Sequence, residues 1–460
     1  MWIPDISKLD GPRYLAVATA IAKAIDGGEL PPGAQLPPQR DLALKLGVTV
    51  GTISRAYTVA KKRKLVSGEV GRGTFVSGSR EETSAANVIP QTDTRMVDLA
   101  CYATPVADLA DMMAKGLSDL ADRSDLLPLH RYPPAAGFVS HRAAGAAWIA
   151  RSGMEVSPDN VLICNGAQQG LSLALGTLLG PGDRLLTEIV TYSGAKALAS
   201  INGLELHGMA MDQHGVIPEA LEAAAAQTEA RVVYLQPTAH NPTTATMPDE
   251  RRRRIADIVR RHDLTMIEDD AACSALYERP LPISALIPER SVYITGVSKA
   301  LSPALRVGFV SAMPEIMAHL QNVFHANVLG ASPLMAELVS QMISSGAAQE
   351  ICRRNLEESA RLNRVAQRVL KGHEVHSDPA CFYLWLKLPR QWSAEEFAAA
   401  ARHEGVSVVP SDNFLASRET PVHAVRVSLN PSFNPDVLLK GLDVLNRLLC
   451  AGPRLRQTVI

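Results

Sequence analysis

The segment Thr295-Gly296-Val297-Ser298-Lys299-Ala300-Leu301-Ser302-Pro303-Ala304-Leu305-Arg306-Val307-Gly308 closes a short apolar run, Ser291–Thr295, and sets an arginine seven residues after a lysine. Comparable runs stand upstream at Asn160–Cys164, Arg184–Glu188, Arg231–Gln236 and Leu264–Glu268, with stretches of helical spacing between them. A chain that alternates in this way forms a mainly parallel α/β sheet with helices on both faces. Ligands of such sheets lie beyond the carboxyl ends of the strands, which is where Lys299 falls. From about Ala347 to residue 450, helices mix with the strands Phe382–Leu388 and Ala424–Leu429, the pattern of a small C-terminal α+β subdomain.

At 460 residues the chain has room for two to four folding units. Its 47% hydrophobic and 20% charged content is that of a globular protein. No apolar stretch is long enough to predict a transmembrane helix. Met1–Asp10 lacks the basic patch and apolar core of a secretory signal, so a cytoplasmic location is expected. Six scattered cysteines without a CxxC pair predict reduced thiols, with no metal site and no disulfide framework. The net charge of −1 is unevenly spread: residues 1–78 hold eleven Lys/Arg against six Asp/Glu. A basic small domain beside an acidic large one suggests a polyanionic partner.

Within residues 1–78, apolar residues at helical spacing predict a helix over 12–28, ended by Gly27-Gly28. A short helix follows from Gln39 to Leu46, stopped by Gly47. Thr49 is a suitable N-cap for a third helix through about Lys64. Leu65-Val66 and Gly73–Val76 then read as a hairpin. Helix, helix-turn-helix and hairpin make a winged helix-turn-helix. Residues 79–97 lack hydrophobic periodicity and read as a linker; residues 98–460 form the large domain.

The string Leu36-Pro37-Pro38-Gln39-Arg40-Asp41-Leu42-Ala43, then Leu46-Gly47-Val48-Thr49 and Thr52-Ile53-Ser54-Arg55-Ala56-Tyr57, resembles the GntR family of winged-helix regulators. So does Gly71-Arg72-Gly73-Thr74-Phe75-Val76. The resemblance implies binding to double-stranded DNA. A recognition helix enters the major groove by its N-terminal residues, here Thr49, Gly51, Thr52, Ser54 and Arg55. Arg40 would contact the duplex from the second helix, and Arg72 and Gly73 would form the wing tip. Relatives often carry a basic residue where this chain has Val50. Lys61-Lys62-Arg63-Lys64 reads either as a solvated helix end that complements the dipole or as a phosphate contact.

The large domain resembles the fold-type I, pyridoxal-phosphate-dependent transferases, and the whole chain resembles the MocR subfamily of GntR regulators. Four segments carry this: the Lys299 stretch; Met266-Ile267-Glu268-Asp269-Asp270; Pro237-Thr238-Ala239-His240-Asn241-Pro242-Thr243; and Asn165-Gly166-Ala167-Gln168-Gln169-Gly170-Leu171. The resemblance implies that Lys299 holds pyridoxal 5′-phosphate as an aldimine. Arg306 would grip its phosphate, with Ser298 beside it and the amides of Ala167 and Gln168 at a helix N-terminus. Asp269 would keep the pyridine nitrogen protonated, Asp270 being the alternative partner. Asn241 would donate to the ring oxygen and Tyr192 would stack on the ring. Tyr132 would reach the phosphate of a second subunit's cofactor in a homodimer. Arg426 would clamp the carboxylate of an amino-acid ligand. His240 reads as a packing residue.

Two departures stand out. Relatives usually place a Tyr two or three residues after the ring aspartate; this chain has Ala271 and Ala272, with Tyr277 too distant. The Ser or Thr usual three places before the lysine is Gly296. Loss of the Tyr should weaken turnover and leave cofactor binding intact. The reading is therefore a regulator that senses an amino acid, an amine or pyridoxal phosphate itself and has at most weak aminotransferase activity. Its operator would have paired half-sites. The alternative is a competent aminotransferase that carries a DNA-binding domain.

Overall fold

The computed structural model describes residues 2–4, 12–31, 34–63, 65–69, 73–76, 96–101, 109–271, 279–417, 422–429 and 435–453. The chain divides into two compact units, residues 1–84 with 417–421, and the remainder. Most of the expected linker, Arg72, Ala272 and Tyr277 fall outside the described residues.

The first unit is a winged helix-turn-helix. Helices α1 (Arg13–Asp26), α2 (Gln39–Leu46) and α3 (Val50–Lys62) precede an antiparallel hairpin of β1 (Val66–Glu69) and β2 (Gly73–Val76). Its core gathers Val17, Ile21, Leu36, Leu42, Ile53, Tyr57 and Val76. Gly47 ends α2 in the left-handed region at φ 62°, a conformation that favours glycine. Thr49 caps α3: its hydroxyl accepts from the amide of Thr52 at 3.2 Å. The buried Tyr57 hydroxyl donates to the Pro37 carbonyl at 2.7 Å and so fixes α3 against the start of α2.

The second unit begins with a two-residue strand, β3 (Val97–Asp98). Seven strands form its central sheet: β4 (Val161–Cys164), β5 (Arg184–Glu188), β6 (Glu205–Met209), β7 (Val232–Leu235), β8 (Thr265–Asp269), β9 (Ser291–Gly296) and β10 (Gly308–Ala312). The order is β4-β10-β9-β8-β7-β5-β6. Only β10 runs antiparallel to its neighbours; the other pairs are parallel. The inner strands are almost wholly buried, as a sheet covered on both faces requires, and the edge strand β6 is partly exposed. Helices α4 (Ala167–Leu178) and α5 (Asp249–Arg261) pack against it.

Helix α6 (Ala347–Val369) opens the smaller subdomain. Its four-stranded sheet has the order β11 (Val375–Ser377), β12 (Tyr383–Lys387), β15 (Ala424–Ser428), β14 (Val409–Pro410), counting β13 (Val406–Ser407) in chain order. One expectation is corrected here. Val97, placed in the linker, lies in β3, which pairs in parallel with β13. Val97 and Leu99 join the core of the small subdomain, so that subdomain takes a strand from before the large one. A two-residue strand has no periodicity to read; a partner some 300 residues away creates it.

One buried ion pair shapes the loop between β7 and α5. Arg252 donates to the carbonyls of Met247 and Pro237, each at 2.8 Å, and to the Thr238 hydroxyl at 2.8 Å. It lies 3.8 Å from Glu268, which accepts from the amides of Ile283 and Ser284. Both side chains are 1% exposed. Arg252→Met should cost about 3–5 kcal/mol, because it leaves the buried Glu268 carboxylate without its countercharge. Urea denaturation followed by tryptophan fluorescence measures this.

Candidate cofactor site and DNA-reading face

In the first unit, Arg40, Thr49, Gly51, Arg55 and Gly73 are exposed, and Thr52 and Ser54 are half-buried. The hydroxyls of Thr49 and Thr52 lie 2.9 Å apart, engaged with the cap. The Arg55 guanidinium stands 5.8 Å from the centre of the Tyr14 ring, close enough for cation–π attraction. Gly73 has φ 122°, and a β-carbon there would meet Gln35 Nε2 at 2.6 Å.

In the second unit Arg306, Ser298 and the start of α4 lie together, and Asn241 lies against Arg426. The turn from β4 into α4 brings Gly166 (φ 89°) against Arg306; a β-carbon would stand 2.6 Å from Nη2. A β-carbon on Gly308 would stand 2.7 Å from the Ala167 amide nitrogen, and one on Gly296 would lie 3.1 Å from the Val307 carbonyl. Three glycines thus clear a cup at the N-terminus of α4. The amides of Ala167 and Gln168 are first in the helix and have no intrahelical acceptor. The exposed Arg306, itself at φ 49°, donates to the Ser298 hydroxyl at 3.3 Å and the Asn165 carbonyl at 3.2 Å. Free amides, a helix dipole and a guanidinium with no carboxylate partner among the described residues suit a phosphate. Gly296, which departs from the expected pattern, is part of the clearance: a side chain there would crowd the Val307 backbone.

Asp269 ends β8 with its carboxylate buried. It accepts from the Tyr234 hydroxyl at 2.8 Å, the Ala271 amide at 3.0 Å and Gln236 Nε2 at 3.3 Å. Burial raises its pKa, and these donors oppose the rise. Asp270 faces elsewhere: it pairs with Arg279 at 2.7 Å and accepts from the Tyr293 hydroxyl. Of the two carboxylates, Asp270 is the one with an arginine partner and Asp269 the one held by neutral donors.

Asn241 and Arg426 meet directly, Nη1 donating to Oδ1 at 2.9 Å. Arg426 also donates to the Ala100 carbonyl at 2.9 Å and lies between the rings of Phe414 (5.2 Å) and Tyr383 (5.8 Å). Its Nε is buried without an acceptor among the described residues. An orphaned guanidinium nitrogen in a site of this kind suits a carboxylate. Arg426 thereby orders Asn241 with its amide NH₂ still available to donate. His240 is fully buried, bonds Thr243 at 2.7 Å, and is pushed by burial to a pKa of about 3, so it is neutral and packs as expected.

Lys299 is half-buried. Burial, then the charges of Arg426 and Arg306, depress its ammonium to about 8, which enlarges the nucleophilic neutral fraction at working pH. Tyr192 is half-buried at the start of the helix Ser193–Ile201; burial and the Asp269 charge push its hydroxyl to about 12. Tyr132 is 82% exposed. Ala271 contributes only its amide to this site.

Three residues escaped the sequence reading. Tyr234 and Gln236 hold Asp269, and Tyr234 lay hidden within the apolar run of β7. Glu188 is buried at the end of β5 and accepts from the Gln236 amide at 2.9 Å. An acid closing an apolar strand was the same signal that singled out Asp269.

Residues 94–445 match the family described as aminotransferase class I and II, and residues 13–76 match the bacterial regulatory proteins of the gntR family. The chain belongs to the aminotransferase class I and II family. It carries a GntR helix-turn-helix domain at its N-terminal end, and the cofactor of such a protein is pyridoxal 5′-phosphate. The uncharacterized HTH-type transcriptional regulator YdeF of Bacillus subtilis (strain 168) is 32% identical over 97% of this chain and 96% of its own. The HTH-type transcriptional regulator TauR of Rhodobacter capsulatus is 27% identical over 93% and 95%. Among solved structures, LysN, the α-aminoadipate aminotransferase of Thermus thermophilus, superposes with a TM-score of 0.70 at 26% identity, covering 81% of this chain and 98% of that one. That structure is complexed with N-(5′-phosphopyridoxyl)-L-leucine. The glycine cup, the orphaned Arg426 Nε and the buried Asp269 fit such a group.

Burial pushes Glu188 from its ordinary 4.5 up to about 7. A carboxyl raised on folding stabilises the fold below its unfolded pKa, and that stability drains away as pH climbs through the folded value. Between pH 4.5 and 7 the loss amounts to about 3 kcal/mol. Glu188→Gln keeps an acceptor for the Gln236 amide and removes the titration. Its stability relative to the parent should rise across that interval, as urea melts at pH 5 and pH 8 would reveal.

Proposed function

We propose that the chain is a MocR-type regulator, a cytoplasmic homodimer whose large domain binds pyridoxal phosphate and a small ligand and whose winged helices bind paired half-sites in double-stranded DNA. The observation that carries this is the glycine cup beside Arg306, with the buried Asp269 and the orphaned Arg426 Nε, in a chain with Ala271 and Ala272 where the resemblance leads one to expect a tyrosine. Binding groups are kept and a group that tunes turnover is missing. Residues 1–78 are assigned to DNA reading, through Arg40, Thr49, Gly51, Thr52, Ser54, Arg55, Arg72 and Gly73. The segment from residue 79 to about 96 tethers this domain to the cofactor domain.

In the cofactor domain, Arg306, Ser298 and the amides of Ala167 and Gln168 hold phosphate. Asp269 holds the ring nitrogen, Asn241 the ring oxygen, Tyr192 the ring face, and Lys299 supplies the nucleophile. The bound group serves as an electrophile that captures amines. Arg426 favours ligands with a carboxylate, so an amino acid ranks above a simple amine; pyridoxal phosphate as the sole signal is the remaining case. Support for a second subunit comes from exposed apolar side chains: Leu127 at 72% and Val139 at 68% exposure, flanking Tyr132 in the sequence, with Leu117, Leu329 and Leu334. Exposed apolar groups in such number mark interaction surfaces. Ligand binding shifts DNA affinity only if the ligand distinguishes two arrangements of the protein.

The 30% identity to the 2-aminoadipate transaminase of Thermus thermophilus over 62% of the chain favours a second reading, a working aminotransferase. Repeated amino-group transfer to a keto acid would overturn the regulator reading; a single stoichiometric event, or none, upholds it. With pyridoxal phosphate added, the parent should show the near-visible absorbance of lysine-bound cofactor and Lys299→Ala should not. On operator DNA, Arg55→Ala should weaken binding by about 1–3 kcal/mol at one base position if it reads a base. If it binds phosphate, the loss should be uniform across sequences, with the salt slope reduced by about one. Gel-shift titrations at several salt concentrations separate these outcomes.

A further inference from the structure

Helix α6 buries an unexpectedly polar face. Cys352, Asn355, Ser359 and Asn363 follow one another at spacings that line one side of a helix, and all four are at most 3% exposed. A helix normally buries an apolar stripe there. Each of these side chains is directed at one of two backbone carbonyls. Asn355 Nδ2 donates to the Ala300 carbonyl at 2.7 Å, with Cys352 Sγ 3.8 Å from the same oxygen. One turn and more further on, the Ser359 hydroxyl (2.7 Å) and Asn363 Nδ2 (2.8 Å) both donate to the Cys381 carbonyl.

The two carbonyls belong to segments far apart in the sequence. Ala300 directly follows Lys299 in the turn after β9. Cys381 leads into β12, whose Tyr383 hydroxyl donates to the Ala239 carbonyl at 2.7 Å, two residues before Asn241. In the same strand Trp385 pairs with Arg426 of β15. Ala239, Cys381 and Tyr383 form a small buried cluster of their own. A continuous set of bonds therefore runs from Arg426 and Asn241, through Tyr383 and Cys381, along α6 to Ala300.

The amide oxygens of Asn355 and Asn363 are buried without a donor among the described residues. Unsatisfied buried acceptors are uncommon in native proteins and call for a reason. Stability alone would place leucine at these positions. Asparagine trades that packing for directed bonds to two carbonyls whose positions matter to the site.

We propose that Asn355 is a positioning residue for Lys299, and that the polar face of α6 ties the lysine turn to the strands that hold the carboxylate-binding arginine. This rests on Lys299 being the cofactor lysine. When a ligand draws Arg426 inward, β12 and α6 follow as a unit, and Asn355 carries the displacement to the lysine turn. The small subdomain thus links the carboxylate-binding arginine to the lysine turn through the protein itself.

The test uses the full chain and a readout that needs no cofactor. The pH dependence of Lys299 acetylation by acetic anhydride, followed by mass spectrometry, gives the midpoint of its amine. Asn355→Leu should move that midpoint upward and slow capture of pyridoxal phosphate by roughly ten- to a hundredfold, with the circular dichroism unchanged. The double variant Ser359→Ala, Asn363→Leu should move the midpoint in the same direction by a smaller amount. Should Asn355→Leu fail to fold, Asn355→Ser removes the reach to Ala300 with less disturbance and is read in the same way. A folded Asn355 variant with an unaltered midpoint and unaltered capture overturns the proposal. A response to Asn355 without any to the double variant overturns the tie along α6. A shifted midpoint in a chain whose parent never takes up pyridoxal phosphate upholds the positioning role and rejects the cofactor reading instead.

Discussion

Charge removed from water must be answered by hydrogen bonds or by opposite charge, and at the carboxyl edge of the central sheet that demand organises everything nearby. Asp269, Asp270, Glu188, Glu268, Arg252 and Arg426 are all nine-tenths buried or more. Each has been given its own partners. Asp270 is taken by Arg279 and Tyr293, and Glu268 by Arg252 and two amides. Asp269 alone among the carboxylates of β8 is held by neutral donors, which steady it without neutralising it. On the proposed reading that leaves a negative charge to meet a protonated ring nitrogen. A cation directly upon Asp269 would have cancelled the property that makes it useful.

The same economy of groups appears at the N-terminus of α4. Side chains would obstruct any anion that met backbone amides there; Gly166, Gly296 and Gly308 leave space, and Arg306 closes the side. The turn from β4 to α4 works because helix start, glycine and guanidinium coincide. Gly296 illustrates how a departure from a familiar pattern can be local geometry: there is little room for a β-carbon beside Val307.

Binding and turnover make separable demands on this constellation. Holding an aldehyde cofactor needs a lysine with an accessible neutral form, a phosphate cup and an aromatic face. Cycling it quickly needs finer control of where protons sit at each stage. On the proposed reading the chain keeps the first set, and Ala271 and Ala272 stand where the second would place a tyrosine. A regulator gains from that balance, since a ligand that is held and not consumed can report its concentration, whereas rapid turnover would erase the signal.

The alternation of strands and helices, the winged helix-turn-helix with its Thr49 cap, and the segments around Lys299, Asp269, Asn241 and Gly166 could be read from the sequence alone. These are local: caps, turns and strand-end residues announce themselves by neighbours a few positions away. What the tertiary structure decided depends on residues far apart. Val97 becomes a strand because Val406 lies beside it. Asp269 is distinguished from Asp270 by which carboxylate Arg279 reaches. Tyr234 turns from an apparent core aromatic into the donor that steadies Asp269, and Asn355 acquires meaning only opposite Ala300. Periodicity says which face of an element is buried; it does not say which carbonyl or carboxylate waits on the other side, because that is set by the packing of elements that the chain brings together from hundreds of residues apart.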